Sequence, residues 1–209
     1  MGNNIQSPRN SRPSDARRRV RRDMSLLEFC QWLADTPWSI ALHEGPYALI
    51  ESVHVLTLCI FLGLALMFDL RLLGVTMRRV PVSEVADRLL PWTVAGFVVM
   101  VISGALLFYA IPVRSYQSIF FRFKIVMLIL AGLNVMVFHS GIYRRVADWD
   151  LDAVAPRPAR VAGALSLVLW ILIVLSGRMI AYNWFDCYKP QSALITLLAG
   201  CVPEDLAGR

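Results

Sequence analysis

The chain has 209 residues, of which 57% are hydrophobic and only 17% are charged. A soluble domain carries roughly 25% charged residues and has no long uninterrupted apolar blocks, so a soluble globular fold is excluded. The formal net charge of +6 is unevenly spread, with seven of the 21 basic residues in the first 22 positions and most others beside apolar blocks. This distribution is typical of contact with lipid headgroups and argues against nucleic acid as a partner.

The N-terminal segment, residues 1–23, is rich in arginine, contains Pro8 and Pro13, and has almost no apolar content. Such a composition predicts a disordered extension. No apolar stretch directly follows the arginines, so the segment is not typical of a signal peptide. Met24 opens a stretch that itself reads like the start of a protein, and we interpret it as the native initiator.

Residues 25–34 have one apolar and one polar face at helical spacing. The apolar face consists of Leu26, Phe29, Cys30 and Leu33. Glu28 and Gln31 fall on the opposite side. The pattern predicts a short amphipathic helix in the membrane interface, with Trp32 and Trp38 as interfacial anchors.

Four apolar spans follow, at about residues 47–68, 89–111, 119–139 and 161–182. Each approaches the ~20 residues that an α-helix needs to cross ~30 Å of hydrocarbon. The connections between them have about 20, 7 and 21 residues, so an up-down-up-down order is the simplest arrangement. The sequence therefore predicts an all-α integral membrane four-helix bundle over residues 24–187, followed by an extramembrane tail over residues 188–209.

Small residues punctuate the four spans and predict close contacts between helices. They include Gly63, Ala65, Gly96, Ser103, Gly104, Ala131, Gly132, Gly163, Ser176 and Gly177. Asn134, within the third span, is expected to form a hydrogen bond to a neighbouring helix.

Basic residues are distributed unequally between the two sides of the predicted bundle. The loops after the first and third spans carry Arg71, Arg78, Arg79, Arg88, Arg144, Arg145, Arg157 and Arg160, whereas the opposite side has Arg114, Arg122, Lys124 and Lys189. The positive-inside rule then predicts cytoplasmic loops and two periplasmic termini in a bacterial inner membrane. Cys187 and Cys201 would lie on the oxidising side, and we expect a disulfide between them.

Ionisable residues inside apolar spans are costly and are the best pointers to function in such a protein. Glu51 and His54 lie three residues apart in the first span and therefore project from one helical face. Arg178 lies near the end of the fourth span, and antiparallel packing predicts an ion pair with Glu51. Tyr182, one turn further on, is expected to close the cluster. This pairing has a purely structural interpretation, in which it fastens two helices and His54 is a hydrogen-bonding neighbour.

The same residues also suggest a metal or haem site. His43 precedes a Gly-Pro break that could fold it back over the helix end, where His43, Glu51 and His54 would gather two imidazoles and a carboxylate. These groups suit zinc, copper or iron. His54 could instead be an axial ligand of haem b. His139 lies about 20 Å from His54 along the bundle, so a haem held by both histidines is disfavoured.

His139 is expected in a different, solvated cluster at the cytoplasmic edge. The other members of that cluster are Asp69, Arg71, Arg144 and Arg145. No GxSxG, HExxH or glycine-rich phosphate loop occurs, so the chain is not expected to be an enzyme by itself.

Several strings resemble an uncharacterised bacterial family of four-helix membrane proteins. They are ESVHVLTLCIFLG with DLRLLG at 51–74, LPWTVAGFVVMVISGALLFYAIPVR at 90–114, FRFKIVMLILAGLNVMVFH at 121–139 and SGRMIAYNWFDC at 176–187. The resemblance covers about residues 24–187; it implies the four-helix fold and the start at Met24, but no activity. The plan is also similar, in helix count and one histidine, to copper-resistance D-type membrane proteins and small b-type cytochromes.

Three classes of function fit these observations. The first is a redox- or metal-linked membrane subunit, with His54 as ligand and a polar site near the periplasmic end. The second is a small ion- or proton-coupled transporter or channel subunit that uses Glu51, His54 and Arg178 as a relay. The third is a structural anchor for another membrane or periplasmic protein. A homo-oligomer is compatible with all three.

Overall fold

A computed structural model of the chain describes residues 25–182, 187 and 192–201, and this part is helical without any strand. The helices are α1 (Leu26–Ala34), α2 (Pro37–Glu44), α3 (Tyr47–Leu72), α4 (Val82–Ala110), α5 (Pro112–Gln117), α6 (Ile119–Val137), α7 (Arg157–Tyr182) and α8 (Ala193–Ala199). The prediction of an all-α fold is confirmed. The predicted extension over 1–23 and Met24 lie outside the described residues, as do residues 188–191 and 202–209 of the predicted tail.

Four helices are long and apolar enough to cross a membrane: α3, α4, α6 with its continuation to Asp148, and α7. A helix of 26 residues, such as α3, spans about 39 Å. Large apolar side chains cover its outward surface, and Leu56, for example, is 65% exposed. Water would penalise such a surface, whereas lipid accommodates it. The chain is therefore a multi-pass membrane protein with the bilayer as its environment.

The four long helices run up, down, up and down. The backbone of α3 packs against α4 and α7, and α6 packs against α7. Side chains link α4 to α6 near one end, where the rings of Phe108 and Phe121 stack with centroids 5.4 Å apart. We call this end, where α3 and α6 begin and α4 and α7 finish, the termini end, and the opposite end the loop end.

The centre of the bundle is filled by apolar side chains from three helices. This mid-bundle core consists of Phe61, Ala131, Leu169, Trp170 and Ile173. Gly96 lets α4 approach Phe61 so closely that an added methyl group would lie 3.3 Å from its Cβ atom. The expectation for the small residues holds at this position, whereas Gly63 and Gly132 face open space.

The loop end is closed by the two connecting segments. The Arg71 side chain is 0% exposed, its Nε atom donates to the Val80 carbonyl at 2.8 Å, and its Nη2 atom donates to the Asp152 carbonyl at 3.1 Å. At the same end, an apolar cluster is formed by Leu72, Val82, Phe138, Trp149, Ala155, Ala159 and Ala162. The expected solvated cluster is therefore wrong for Arg71 and for Asp69, which is also buried.

Two further contacts fix the helices at the loop end. The Asp150 carboxylate accepts hydrogen bonds from the Ser83 backbone N–H at 2.7 Å and from the Ser83 hydroxyl at 2.6 Å. These bonds satisfy the first turn of α4, which consequently begins at Val82, earlier than predicted. Asn134 donates to the Ala162 carbonyl at 3.0 Å, which confirms the expected interhelical bond.

Shorter elements cover the termini end. Helix α1 begins with reciprocal hydrogen bonds between Ser25 and Glu28, and its Cys30 is buried. The location of α1 in the membrane interface remains a prediction. At the other end of the chain, α8 is held by Arg122, which donates to the Leu198 and Ala199 carbonyls at 2.6 and 2.9 Å.

Candidate intramembrane polar site

The predicted partners Glu51 and Arg178 do not meet: no ion pair joins them, and both side chains are exposed. Arg178 instead contacts Tyr182 in its own helix, with 3.3 Å between Nη2 and the phenol oxygen. The reason is the rotation of α3 about its axis. His54 is turned towards α4 instead of α7, whereas Glu51, one turn earlier, is exposed.

The three predicted metal ligands also remain apart. Within the described residues, no group of three His, Cys, Asp or Glu side chains could hold a metal ion. His43 lies on α2, with its ring edge-on to Tyr47 at 5.8 Å between centroids. It lines an open cleft of about 390 Å³ at the termini end, together with Glu44 and Arg114.

Cys187 and Cys201 are joined by a disulfide. Cys187 lies five residues after the end of α7, and Cys201 lies two residues after the end of α8. Together with Arg122, the disulfide holds the C-terminal segment over the start of α6.

The His54 side chain forms a hydrogen bond that crosses to α4. Its Nδ1 atom lies 2.8 Å from the Ser103 hydroxyl oxygen. Because that hydroxyl has one proton and lies 2.7 Å from the Val99 carbonyl, to which it donates, we assign Nδ1–H as the donor to the Ser103 oxygen. In the neutral ring, Nε2 then carries the lone pair. Gly104 makes room for the ring, because an added methyl group would lie 3.3 Å from the His54 Cε1 atom.

Lys124 reaches the same region from α6. Its Nζ atom lies against Gly177 on α7, because a methyl group added to that glycine would be 3.3 Å from it. The positive charge of Lys124 also acts on His54. The side chain is half-buried and forms no hydrogen bond or ion pair in the described part of the chain. His54, Ser103 and Lys124 thus form what we call the intramembrane polar site.

The depth of this site follows from the helix register. His54, Ser103 and Lys124 each lie about five to seven residues from the termini end of their helices, which corresponds to about 8–10 Å. An ammonium group and an imidazole here are expensive to maintain, and such groups usually mark an ion or proton pathway.

Sequence reasoning identified His54 but missed Lys124 and Ser103. Lys124 is the sixth residue of α6, and its position was consistent with a basic residue in the headgroup region. Its depth inside an otherwise apolar helix was the available signal. Ser103 was interpreted as a small packing residue, and its role depends on which face of α4 meets α3.

A second polar group lies near the loop end of the bundle interior. Asp69 is 6% exposed, and its Oδ2 atom is buried without a hydrogen-bond partner. The Ser166 hydroxyl of α7 faces the carboxyl group. Arg71 Nη1 and Arg160 Nε are also buried without partners.

No curated protein and no solved structure matches this chain. A model described as a family of unknown function, DUF6644, matches residues 40–183, which include all four long helices and every member of the intramembrane polar site. This chain therefore belongs to the DUF6644 family of unknown function.

Proposed function

We propose that this protein is a small proton-conducting membrane protein in which Lys124 and His54 bind the proton. The observation that carries the proposal is the Lys124 ammonium group, which lies inside the bundle beside His54 without a counter-ion in the described residues. A lysine at this depth costs free energy that a purely structural role would not recover.

The geometry supports a simple division of roles. His54 keeps Nδ1–H on Ser103 and is able to accept a proton at Nε2. A second positive charge beside the Lys124 ammonium is disfavoured by repulsion, so the pair holds one proton more readily than two. A proton that arrives at one group therefore favours departure from the other, which is the property that a relay needs.

We also propose the orientation in which the termini end faces the periplasm of a bacterial inner membrane. The eight arginines near the loop end support it, since basic residues accumulate on the cytoplasmic side. The disulfide between Cys187 and Cys201 agrees, because such bonds persist in oxidising compartments.

The test is proton uptake by sealed vesicles that contain the purified protein. A potassium diffusion potential drives the protons, and a trapped pH-sensitive dye reports them. We expect uptake above that of protein-free vesicles, lost in His54→Ala and retained in the matched variant His43→Ala, whose histidine lies on α2. Equal rates in protein-containing and protein-free vesicles would overturn the proposal.

A redox- or metal-linked role for His54 is the second candidate, and one observation favours it. A metal-binding histidine usually donates its other ring N–H to an oriented acceptor, and Ser103 supplies that acceptor for Nδ1. The lone pair on Nε2 would then bind haem b, copper, iron or zinc, with further ligands from a partner protein or a second copy.

The second candidate has its own test. A reduced-minus-oxidised optical spectrum and a metal analysis are recorded for the detergent-purified protein and for His54→Ala. A haem band or a stoichiometric metal that disappears in the variant would support it. A featureless spectrum together with a metal-free protein would reject it.

A further inference from the structure

Asp69 is a carboxyl group in an unusual position. It lies on α3, three residues before the helix ends, yet it is turned inward against α7, where Gly163 allows contact with the α3 backbone. An added methyl group at Gly163 would lie 3.2 Å from the Asp69 carbonyl oxygen. Only 6% of the residue is exposed, and its Oδ2 atom has no hydrogen-bond partner among the described residues.

None of the neighbouring helices brings a charged group to this carboxyl among the described residues. On α3, the Arg71 guanidinium points away to Val80 and Asp152. On α7, the uncharged Ser166 hydroxyl faces it, and Arg160, whose Nε is buried without a partner, forms no ion pair with it in the described residues. Asn134 of α6 directs its amide to Ala162, and the Arg88–Glu84 pair of α4 is on the surface.

A buried carboxylate without a counter-ion is strongly disfavoured, and the free energy is lowered when the group binds a proton. Solvent offers little alternative to a proton, because Asp69 is only 6% exposed. Asp69 is therefore suited to hold a proton in the bundle interior.

Asp69 and His54 lie on the same helix and on opposite sides of the mid-bundle core. They are 15 residues apart, about 22 Å along α3, and the Phe61 and Trp170 rings lie between them with centroids 4.8 Å apart. We propose that Asp69 is a second proton-binding group of this protein, and that the mid-bundle core is the barrier between it and the intramembrane polar site. The barrier role rests on the proposed proton conduction; proton binding by Asp69 does not.

Infrared spectroscopy of the purified protein tests the proton on Asp69 directly. A protonated carboxyl group in apolar surroundings gives a C=O stretching band that ionised carboxylates lack. We expect this band at neutral pH, its loss in Asp69→Asn and its retention in Glu51→Gln, whose carboxylate is exposed. Ser166→Ala should shift the band, because it removes the hydroxyl that faces the carboxyl.

The outcomes separate this inference from the proposed function. Absence of the band in the wild-type protein, or its persistence in folded Asp69→Asn, would overturn the Asp69 site. If Asp69→Asn does not fold, the wild-type band and its shift in Ser166→Ala decide the matter. A wild-type band with no proton uptake by the vesicles would support the Asp69 site and reject proton conduction. Loss of both the band and uptake in folded Asp69→Asn would support the two-site pathway.

Discussion

The Nδ1 atom of His54 lies 2.8 Å from the hydroxyl oxygen of Ser103, and this bond joins α3 to α4 in the half of the bundle nearer the termini. It also fixes the side of the ring that faces α4, while the charge of Lys124 acts on the same histidine. The hydrogen bond to Ser103 thus fixes the orientation of the His54 ring in an apolar helix.

Ser103→Ala should therefore weaken both the packing and the site. The variant leaves His54 Nδ1 without its acceptor, and the free energy of unfolding should fall by about 1–3 kcal/mol. Thermal unfolding in detergent measures the change. Ser52→Ala is the matched control, because the Ser52 hydroxyl bonds only to the Ala48 carbonyl of its own helix. Equal losses in the two variants would contradict the assigned role of Ser103.

Gly163 is predicted to be the glycine of α7 least tolerant of a side chain. A methyl group there would lie 3.2 Å from a backbone carbonyl and 3.3 Å from the Leu72 Cβ atom, neither of which can move easily. Gly163→Ala should lower the free energy of unfolding by about 1–3 kcal/mol through overpacking. Gly132→Ala should cost little, since nothing lies within 4 Å of the added group. The comparison again uses thermal unfolding, and a tolerant Gly163 would mean that α3 and α7 are further apart.

Arg71 is predicted to be the main polar contact at the loop end. Arg71→Ala removes two charge-assisted hydrogen bonds, to Val80 and Asp152, and should lower the free energy of unfolding by about 3–5 kcal/mol. Protease sensitivity of the connecting loops should rise with it. Arg79→Ala, in the same loop but exposed, should change stability by less than about 0.5 kcal/mol. Similar behaviour of the two variants would show that the loops are held by the apolar cluster alone.

The Asp150 carboxylate should make the stability of the fold depend on pH in the acidic range. Its partial burial alone would raise the pKa of the carboxyl, but hydrogen bonds from Ser83 and Val82 and the charge of Arg71 outweigh burial, and the pKa is lowered. A lowered folded-state pKa gives stability that is fully present above the unfolded-state value of about 3.9 and is lost as the pH falls through the folded-state value. The melting temperatures of wild type and Asp150→Asn should therefore differ near neutrality and converge below about pH 4. A difference that is constant with pH would exclude the carboxylate as its source.

The fold was predictable because length and hydropathy alone identify helices that cross a membrane. The first span was predicted to begin at Tyr47, as α3 does, and the fourth was predicted to finish at Tyr182, as α7 does. The boundaries at the loop end were less accurate, since they depend on contacts such as Ser83 with Asp150, which are 67 residues apart. Such contacts leave no local signal in the sequence.

The sequence allowed us to predict how deep the site lies in the bundle, but not which residues contact each other there. His54 was expected to be functional because it interrupts an apolar span, and that reasoning would have applied equally to Lys124. The expected Glu51–Arg178 pair failed because helices that are apolar on all sides do not reveal which face meets a neighbour. Asp69 was expected in solvent for a similar reason, since nothing in the sequence showed that two loops would cover it.

The central claim is that the Lys124 charge inside the bundle serves proton conduction, and one matched pair of variants tests it most directly. Lys124→Met and Arg178→Met each remove one basic residue near the termini end, but only Lys124 lies beside His54. Both are measured in the same vesicle assay, with circular dichroism to verify that they are folded. We predict that Lys124→Met lowers proton uptake to the rate of protein-free vesicles, whereas Arg178→Met retains the wild-type rate. Wild-type uptake in folded Lys124→Met would contradict the account.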